Sequence, residues 1–275
     1  MTKLIATDLD GTFFYPKRKI GMIPRRSLKF VRKFISSGGK VLLVTGRSQF
    51  FTIHVEEKVG SSLDVIGMNG AYMLIDGEVR EEHFLDPIVL KLVEDIQAKF
   101  KLKGMMLLSK RYPLLIDGPD MSTLRKYGYR FYYWSQGVYA EDYLVSHSLF
   151  NSELKGNNVY KLMFYFGLTK KASDLASEAN KYIRTNYGDS LEASWTGGFI
   201  EITPKGCSKA NGIKKYLAYK GLKEEEIVVV GDSGNDISMF NAFHERSFCM
   251  SHAPLKVKKY AKHIIRRFHE LQAYL

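Results

Sequence analysis

The chain has 275 residues, 45% hydrophobic and 25% charged, which suits a folded globular protein and excludes a disordered or collagen-like one. Lysines and arginines number 41 against 29 aspartates and glutamates, a formal net charge of +12. No aliphatic run approaches the ~20 residues needed to cross a membrane, and the start of the chain meets Asp8 and Asp10 after one short apolar stretch, so no membrane span and no secretory leader are expected.

Lys3–Thr7 reads as a short aliphatic strand ending on acidic residues and a glycine. A helix is predicted from about Pro24 to Ser37, where Leu28, Val31, Phe34 and Ile35 fall at helical spacing, Pro24 suits the first turn and Gly38-Gly39 the end. Val41–Val44 has the look of a fully buried strand. A helix over Gln49–Val59 and a strand at Val65–Gly67 follow. Strands alternating with helices signal a parallel sheet with crossover helices.

The middle differs. It carries a helix at about Pro87–Phe100, short strands at Met105–Leu108 and Leu114–Asp117, an alternating strand at Tyr160–Phe166 and a helix over Lys171–Thr185. Leu191–Trp195 and Phe199–Thr203 flank Thr196-Gly197-Gly198 as a hairpin. The alternating pattern then resumes with helices at Lys209–Lys220 and Asp236–Ala242, strands at Ile227–Val230 and Ser247–Met250, and a helix over Pro254–Ala261. A strand at His263–Ile265 and a C-terminal helix are expected to close the chain. The fold class is therefore α/β, a Rossmann-like parallel core over residues 1–84 and 204–275, with an α+β module inserted at 85–203.

Three polar clusters sit at predicted strand ends. Asp8-Leu9-Asp10-Gly11-Thr12 places two carboxylates two residues apart, able to hold a hard cation or to divide nucleophilic and proton-transfer work. The same pattern also suits a polar turn. Gly231-Asp232-Ser233-Gly234-Asn235-Asp236 adds two more carboxylates beside backbone donors. Thr45-Gly46-Arg47 supplies a hydroxyl and open backbone. In a parallel sheet these strand ends converge on one crevice, where such folds bind ligands.

On these motifs the chain resembles the haloacid dehalogenase (HAD) superfamily phosphatases of the Cof type, subclass IIB, whose C2-type cap is inserted in the core. The matching segments are Asp8–Thr12, Thr45–Arg47, Lys209 within Ile202–Gly212, and Gly231–Asp236, and Asn69-Gly70-Ala71 is similar to a further family segment. The resemblance implies that Asp8 is the nucleophile, forming a phosphoaspartyl intermediate, and that Asp10 is the acid/base. It implies Mg²⁺ held by Asp8, the Asp10 carbonyl and Asp232, with Asp236 supporting it directly or through water. Thr45, Lys209 and Asn235, with backbone near Leu9 and Gly46, would grip the phosphoryl oxygens. Lys205 competes for the lysine role; Lys209 is preferred because it opens a predicted helix, whose N-terminus favours an anion.

The expected activity is hydrolysis of small phosphorylated metabolites, sugar phosphates first among them, in the cytoplasm. A phosphotransferase or phosphomutase would use the same aspartate, and a basic nucleic-acid-binding protein with an idle site is the reading from another class. The clusters Arg25, Arg26, Lys29, Arg32, Lys33 and Lys256, Lys258, Lys259, Lys262 lie on helical segments with no compact nucleic-acid signature beside them. They read as solvated helix faces whose field helps draw in an anionic substrate. Cys207 and Cys249 show no CxxC spacing and read as free thiols. His54 and His244 lie singly and read as surface or core residues, not metal ligands. Tyr127–Trp134 is dense in aromatics and reads as packing in the inserted module. The sequence leaves oligomeric state open, and a monomer is compatible with it.

Overall fold

The computed structural model describes residues 2–16, 23–118 and 143–275, and the aromatic stretch Tyr127–Trp134 lies outside the described residues. The chain divides into two compact units: residues 2–81 with 208–275, and residues 82–118 with 143–207. The strands of the first part are β1 (Leu4–Thr7), β2 (Lys40–Val44), β3 (Asp64–Gly67), β4 (Tyr72–Ile75) and β5 (Glu78–Glu82). Those of the inserted unit are β6 (Gly104–Ser109), β7 (Leu115–Ile116), β8 (Leu144–Val145), β9 (Val159–Tyr165), β10 (Leu191–Thr196) and β11 (Phe199–Pro204). The chain then returns with β12 (Ile227–Gly231), β13 (Ser247–Met250) and β14 (His263–Ile265).

The first unit is built on a sheet of order β14-β13-β12-β1-β2-β3-β4-β5. From β14 to β3 all pairings are parallel, with Leu4 opposite Ile227 on one side and Lys40 on the other. The aliphatic runs are buried on both faces because period-2 alternation sends neighbours to opposite sides. Ile5, Val41, Leu43, Val228 and Val230 enter the core beneath helices Arg25–Ser36 and Gln49–Val59. Leu4, Ala6, Leu42, Val44 and Val229 enter the opposite core, with Ile213 and Tyr216 of helix Lys209–Lys220 and Phe240 of helix Ile237–Ala242. Each fully buried side chain of this size contributes roughly 1.5–3 kcal/mol. This two-sided cover holds the carboxyl ends of β1, β2 and β12 side by side.

The inserted unit has a sheet of order β10-β11-β9-β6-β7-β8, antiparallel except for the β7–β8 pair. Leu162 and Phe164 of β9 join one core with Leu107, Ile200 and Ile202 and with helices Ile88–Lys99 and Lys170–Tyr187. Lys161, just before Leu162, carries its ammonium 3.1 Å from Glu201, and Tyr165 stacks on Phe199 at 4.6 Å. Gly197, at φ +59°, makes the predicted hairpin turn, which Trp195 closes by donating to the Gly197 carbonyl at 2.6 Å.

Several elements differ from expectation. The C-terminal helix is a short 3₁₀ helix over Phe268–Ala273, and the Pro254–Ala261 helix contracts to Leu255–Lys258. The strands β4 and β5 form an edge hairpin around Asp76-Gly77, both at positive φ. That dipeptide is a hairpin signal, but the charged EVREE segment hides an edge strand. Helix His147–Lys155, capped by the Ser146 hydroxyl accepting from the Leu149 N–H, was also absent from the pattern reading. Both cysteines are free and buried. Among the described residues no helix is long and apolar enough to cross a membrane.

Candidate active site

β1 lies between β12 and β2, so the loops after these strands are neighbours by construction. The Asp8 N–H donates to the Val230 carbonyl at 2.9 Å, carrying the parallel pairing one residue past the strand end. Residues 9–13 then make a wide turn, with the Phe13 N–H donating to Asp8 O at 3.3 Å and the Phe14 N–H to Leu9 O at 3.0 Å. Gly11 stands at φ +76°, and a Cβ there would overlap the Asp232 carboxylate. Glycine is required on both counts, and its absent side chain lets the two acidic loops touch.

The buried centre of the site is a charge cluster. The Lys209 ammonium donates to Asp8 Oδ1 at 2.7 Å and to Asp236 Oδ1 at 2.6 Å, and all three residues are buried. Lys209 opens its helix behind Ser208, whose hydroxyl caps the Asn211 N–H at 3.2 Å. Asp236 Oδ2 accepts the Asp232 and Ser233 N–H groups at 2.8 Å each. A Cβ at Gly231 would overlap Asp236, which explains the glycine that begins this loop. Carboxylate oxygens of Asp8, Asp232 and Asp236 lie within 4.8 Å of one another.

The electrostatics follow from this crowding. Burial pushes the Asp8 carboxyl well above its usual range; Lys209 opposes that, while Asp236, Asp232 and Asp10 add to it. Burial likewise raises Asp232, against hydrogen bonds from His252 and Thr12. Burial disfavours the Lys209 ammonium, but Asp236 and Asp8 more than offset this and hold its pKa above the ordinary lysine value. Cys249, on the neighbouring β13, is pushed up to about 12 by burial and by Asp236 and Asp232. With all three carboxylates ionised, the one ammonium would leave two negative charges uncompensated, which is why burial and the neighbouring acids push Asp8 and Asp232 upward. An all-oxygen donor set with a surplus of two charges fits a hard divalent cation such as Mg²⁺.

The opposite side of the crevice is more open. Asp10 is held by a two-point clasp from Arg47, whose Nε and Nη2 lie 2.5 and 2.7 Å from its two oxygens. The guanidinium also lies over the Phe51 ring, 3.9 Å from its centroid. The Arg47 N–H donates to the buried Thr45 hydroxyl at 3.1 Å, and the Asn69 N–H donates to the Thr45 carbonyl at 3.0 Å. Asn69, at φ +57°, accepts from the Asn235 amide at 3.2 Å. These contacts tie Asp8, Lys209, Asp232 and Asp236 into one cluster and link Asp10 through Arg47 to Thr45, and Thr45 through Asn69 to Asn235. Lys205 lies elsewhere, donating to the Gly188 carbonyl and standing 3.7 Å from Glu192.

The model of the haloacid dehalogenase-like hydrolases matches residues 5–272. The chain belongs to this family. Among relatives of this hydrolase, the 5-amino-6-(5-phospho-D-ribitylamino)uracil phosphatase YbjI of Escherichia coli K12 is 24% identical over 268 residues, spanning 95% of this chain and 89% of that protein. The pyridoxal phosphate phosphatase YbhA of the same organism is 26% identical over 248 residues, spanning 88% and 85%. Among solved structures, the HAD subclass IIB sugar phosphatase BT4131 superposes with a TM-score of 0.77 at 20% identity and covers 99% of each chain, a likeness of fold.

The hydrolase also uses residues to which the sequence reading gave no role. Arg47 was legible only as the end of a motif; its clasp on Asp10 joins residues 37 positions apart. Thr12 donates to Asp232 Oδ1 at 2.9 Å across 220 positions. His252 reaches the same carboxylate from a turn after β13, without any motif to announce it.

Proposed function

We propose that this hydrolase is a Mg²⁺-dependent phosphatase of small phosphorylated metabolites, sugar phosphates being the leading class, acting through a phosphoaspartyl intermediate. One observation carries the reading. A buried carboxylate, Asp8, sits against the Lys209 ammonium and within 4.8 Å of two further carboxylates that leave a surplus of negative charge. Asp8, Asp232 and the Asp10 carbonyl would hold Mg²⁺. Asp236, with both oxygens already engaged, would support it through water. When bound, the ion neutralises charge on the transferring phosphoryl group and on the nucleophile beside it.

Phosphoryl transfer demands mainly positioning and charge compensation. A carboxylate oxygen of Asp8 attacks phosphorus; that P–O bond forms as the ester P–O bond breaks. Asp10 gives its proton to the leaving alkoxide. Water then attacks the aspartyl phosphate, Asp10 takes its proton, phosphate departs and Asp8 is restored. Lys209, the Thr45 hydroxyl, the Asn235 amide and backbone near Leu9 and Gly46 would bind the phosphoryl oxygens. The inserted unit, proposed to span 85–203, would act as the cap that selects the leaving group.

The test is a panel of sugar phosphates, pyridoxal phosphate and a phosphorylated ribityl compound, assayed with Mg²⁺ for released inorganic phosphate. Release from sugar phosphates, with a labelled phosphoenzyme trapped on Asp8, supports the proposal. Transfer of the phosphoryl group to an added alcohol in place of water would redirect it to phosphotransfer, and no turnover of any phosphate ester would overturn it.

A further inference from the structure

Asp232 has its carboxylate fixed from two sides. Thr12, fully buried, donates to Oδ1 at 2.9 Å. His252 places Nε2 3.4 Å from Oδ2. The histidine lies in the turn that follows β13, and its ring is itself held, stacked on Tyr15 with centroids 3.8 Å apart and planes 22° from parallel. The Arg267 guanidinium stands 5.2 Å from the centroid of the same tyrosine ring. Gly11 closes the arrangement by leaving no Cβ between its backbone and the carboxylate. Segments after β1, β12 and β13 thus meet around one acid, and Arg267, after β14, stands over the Tyr15 ring.

We propose that His252 is a positioning residue for Asp232, and that the Tyr15 ring sets the position of His252. The proposal rests on the reading of Asp232 as a Mg²⁺ ligand. A carboxylate on a loop has rotational freedom that must be lost when a cation binds. Hydrogen-bond donors that fix it beforehand remove that cost, and loss of such a partner typically weakens metal binding about 10–100-fold. Thr12 alone leaves Oδ2 free to swing about its bond to Oδ1. His252, with a proton on Nε2, blocks that motion, and a stacked, partly buried ring has few rotamers in which to leave. Tyr15 contributes its ring face to this, with no part assigned to its hydroxyl.

The experiment measures Mg²⁺ binding by calorimetry and Mn²⁺ binding by electron paramagnetic resonance on the full-length protein. His252→Ala is expected to weaken both about 10–100-fold, raising the Mg²⁺ concentration for half-maximal activity while kcat at saturating Mg²⁺ stays near wild type. His252→Gln, whose amide nitrogen can occupy the place of Nε2, is expected to recover most of the affinity. Tyr15→Leu should weaken binding in the same direction by less, and Tyr15→Phe should bind as wild type. Equal loss in His252→Gln and His252→Ala points to disturbed folding and overturns the positioning role, as does unchanged affinity in His252→Ala. Should His252→Ala fail to fold, the Tyr15→Leu and Tyr15→Phe pair decides: equal affinities overturn the inference. A wild-type protein that binds neither metal removes the metal reading itself, whereas wild-type binding with indifferent variants removes only the role of His252.

Discussion

The two sides of the crevice use the same chemical group in opposite settings. On one, Asp8, Lys209 and Asp236 are nearly sealed from water and pinned to one another. On the other, the Asp10 side chain is 48% exposed and clasped by Arg47. A buried charge cannot lose its partner without leaving the other uncompensated in a poor solvent, so changes there act on folding as well as on chemistry. Asp10 is half-exposed, so its own charge is partly screened, although its partner Arg47 is only 10% exposed and packs over Phe51. In the proposed mechanism the fixed group, Asp8, forms the bond and the accessible one, Asp10, carries proton traffic with substrate and water.

The largest effect should come from the proposed nucleophile. Asp8→Asn is expected to lower turnover at least ~1,000-fold, about 4 kcal/mol of transition-state stabilisation, with no phosphoenzyme trapped. Because burial disfavours the Asp8 charge, the same variant should keep or raise the melting temperature of the metal-free protein. A clear fall in melting temperature would contradict that electrostatic account. Removal of metal is next: EDTA should abolish hydrolysis, Mg²⁺ should restore it, and Ca²⁺ should substitute poorly because its larger, looser coordination misplaces the phosphoryl group. Full turnover in EDTA would reject the metal site.

Lys209→Ala tests the buried side directly. It should cost about 3–5 kcal/mol in unfolding free energy along with most of the activity, while Lys205→Ala should change stability by no more than about 1 kcal/mol. Denaturant titration of both variants checks this, and the reverse ranking would exchange the two lysines. On the open side, Asp10→Asn should slow phosphoenzyme formation about 10²–10⁴-fold with a sugar phosphate. The loss should be smaller with p-nitrophenyl phosphate, whose leaving group needs little protonation. Single-turnover kinetics separate this step from hydrolysis of the intermediate, and equal slowing with both substrates would remove the acid role. Arg47→Ala should have the smallest effect on turnover, misplacing Asp10 and lowering the rate with poor leaving groups more than with good ones, while the loss of a largely buried guanidinium packed over Phe51 should lower the melting temperature.

Much of the core was legible before any coordinates. Val41–Val44 and Ile227–Val230 are too short and too uniformly aliphatic for anything but strands buried on both faces, and each ends on a polar cluster. The inserted unit was read less completely. Strand β8 is two residues long and lacks a period, and helix His147–Lys155 carries only a serine cap as a signal. The C-terminal helix expected from the sequence forms as a 3₁₀ helix over Phe268–Ala273, whose Phe268 and Leu271 are buried at its three-residue spacing.

The sequence by itself determined the alternation of strand and helix, the insertion between two halves of a parallel core, and the presence of four carboxylates, a threonine and a lysine at strand and helix ends. Local periodicity and loop chemistry are sufficient for that, since each depends on residues a few positions apart. Only the tertiary structure decided that β1 lies between β12 and β2, because strands of equal hydrophobicity carry no local label for their neighbours. From that order came the Lys209 contacts to Asp8 and Asp236, the Arg47 clasp on Asp10 and the approach of Thr12 and His252 to Asp232. These join residues between 20 and 220 positions apart, and their partners are selected by packing of the whole sheet, which no window of sequence contains.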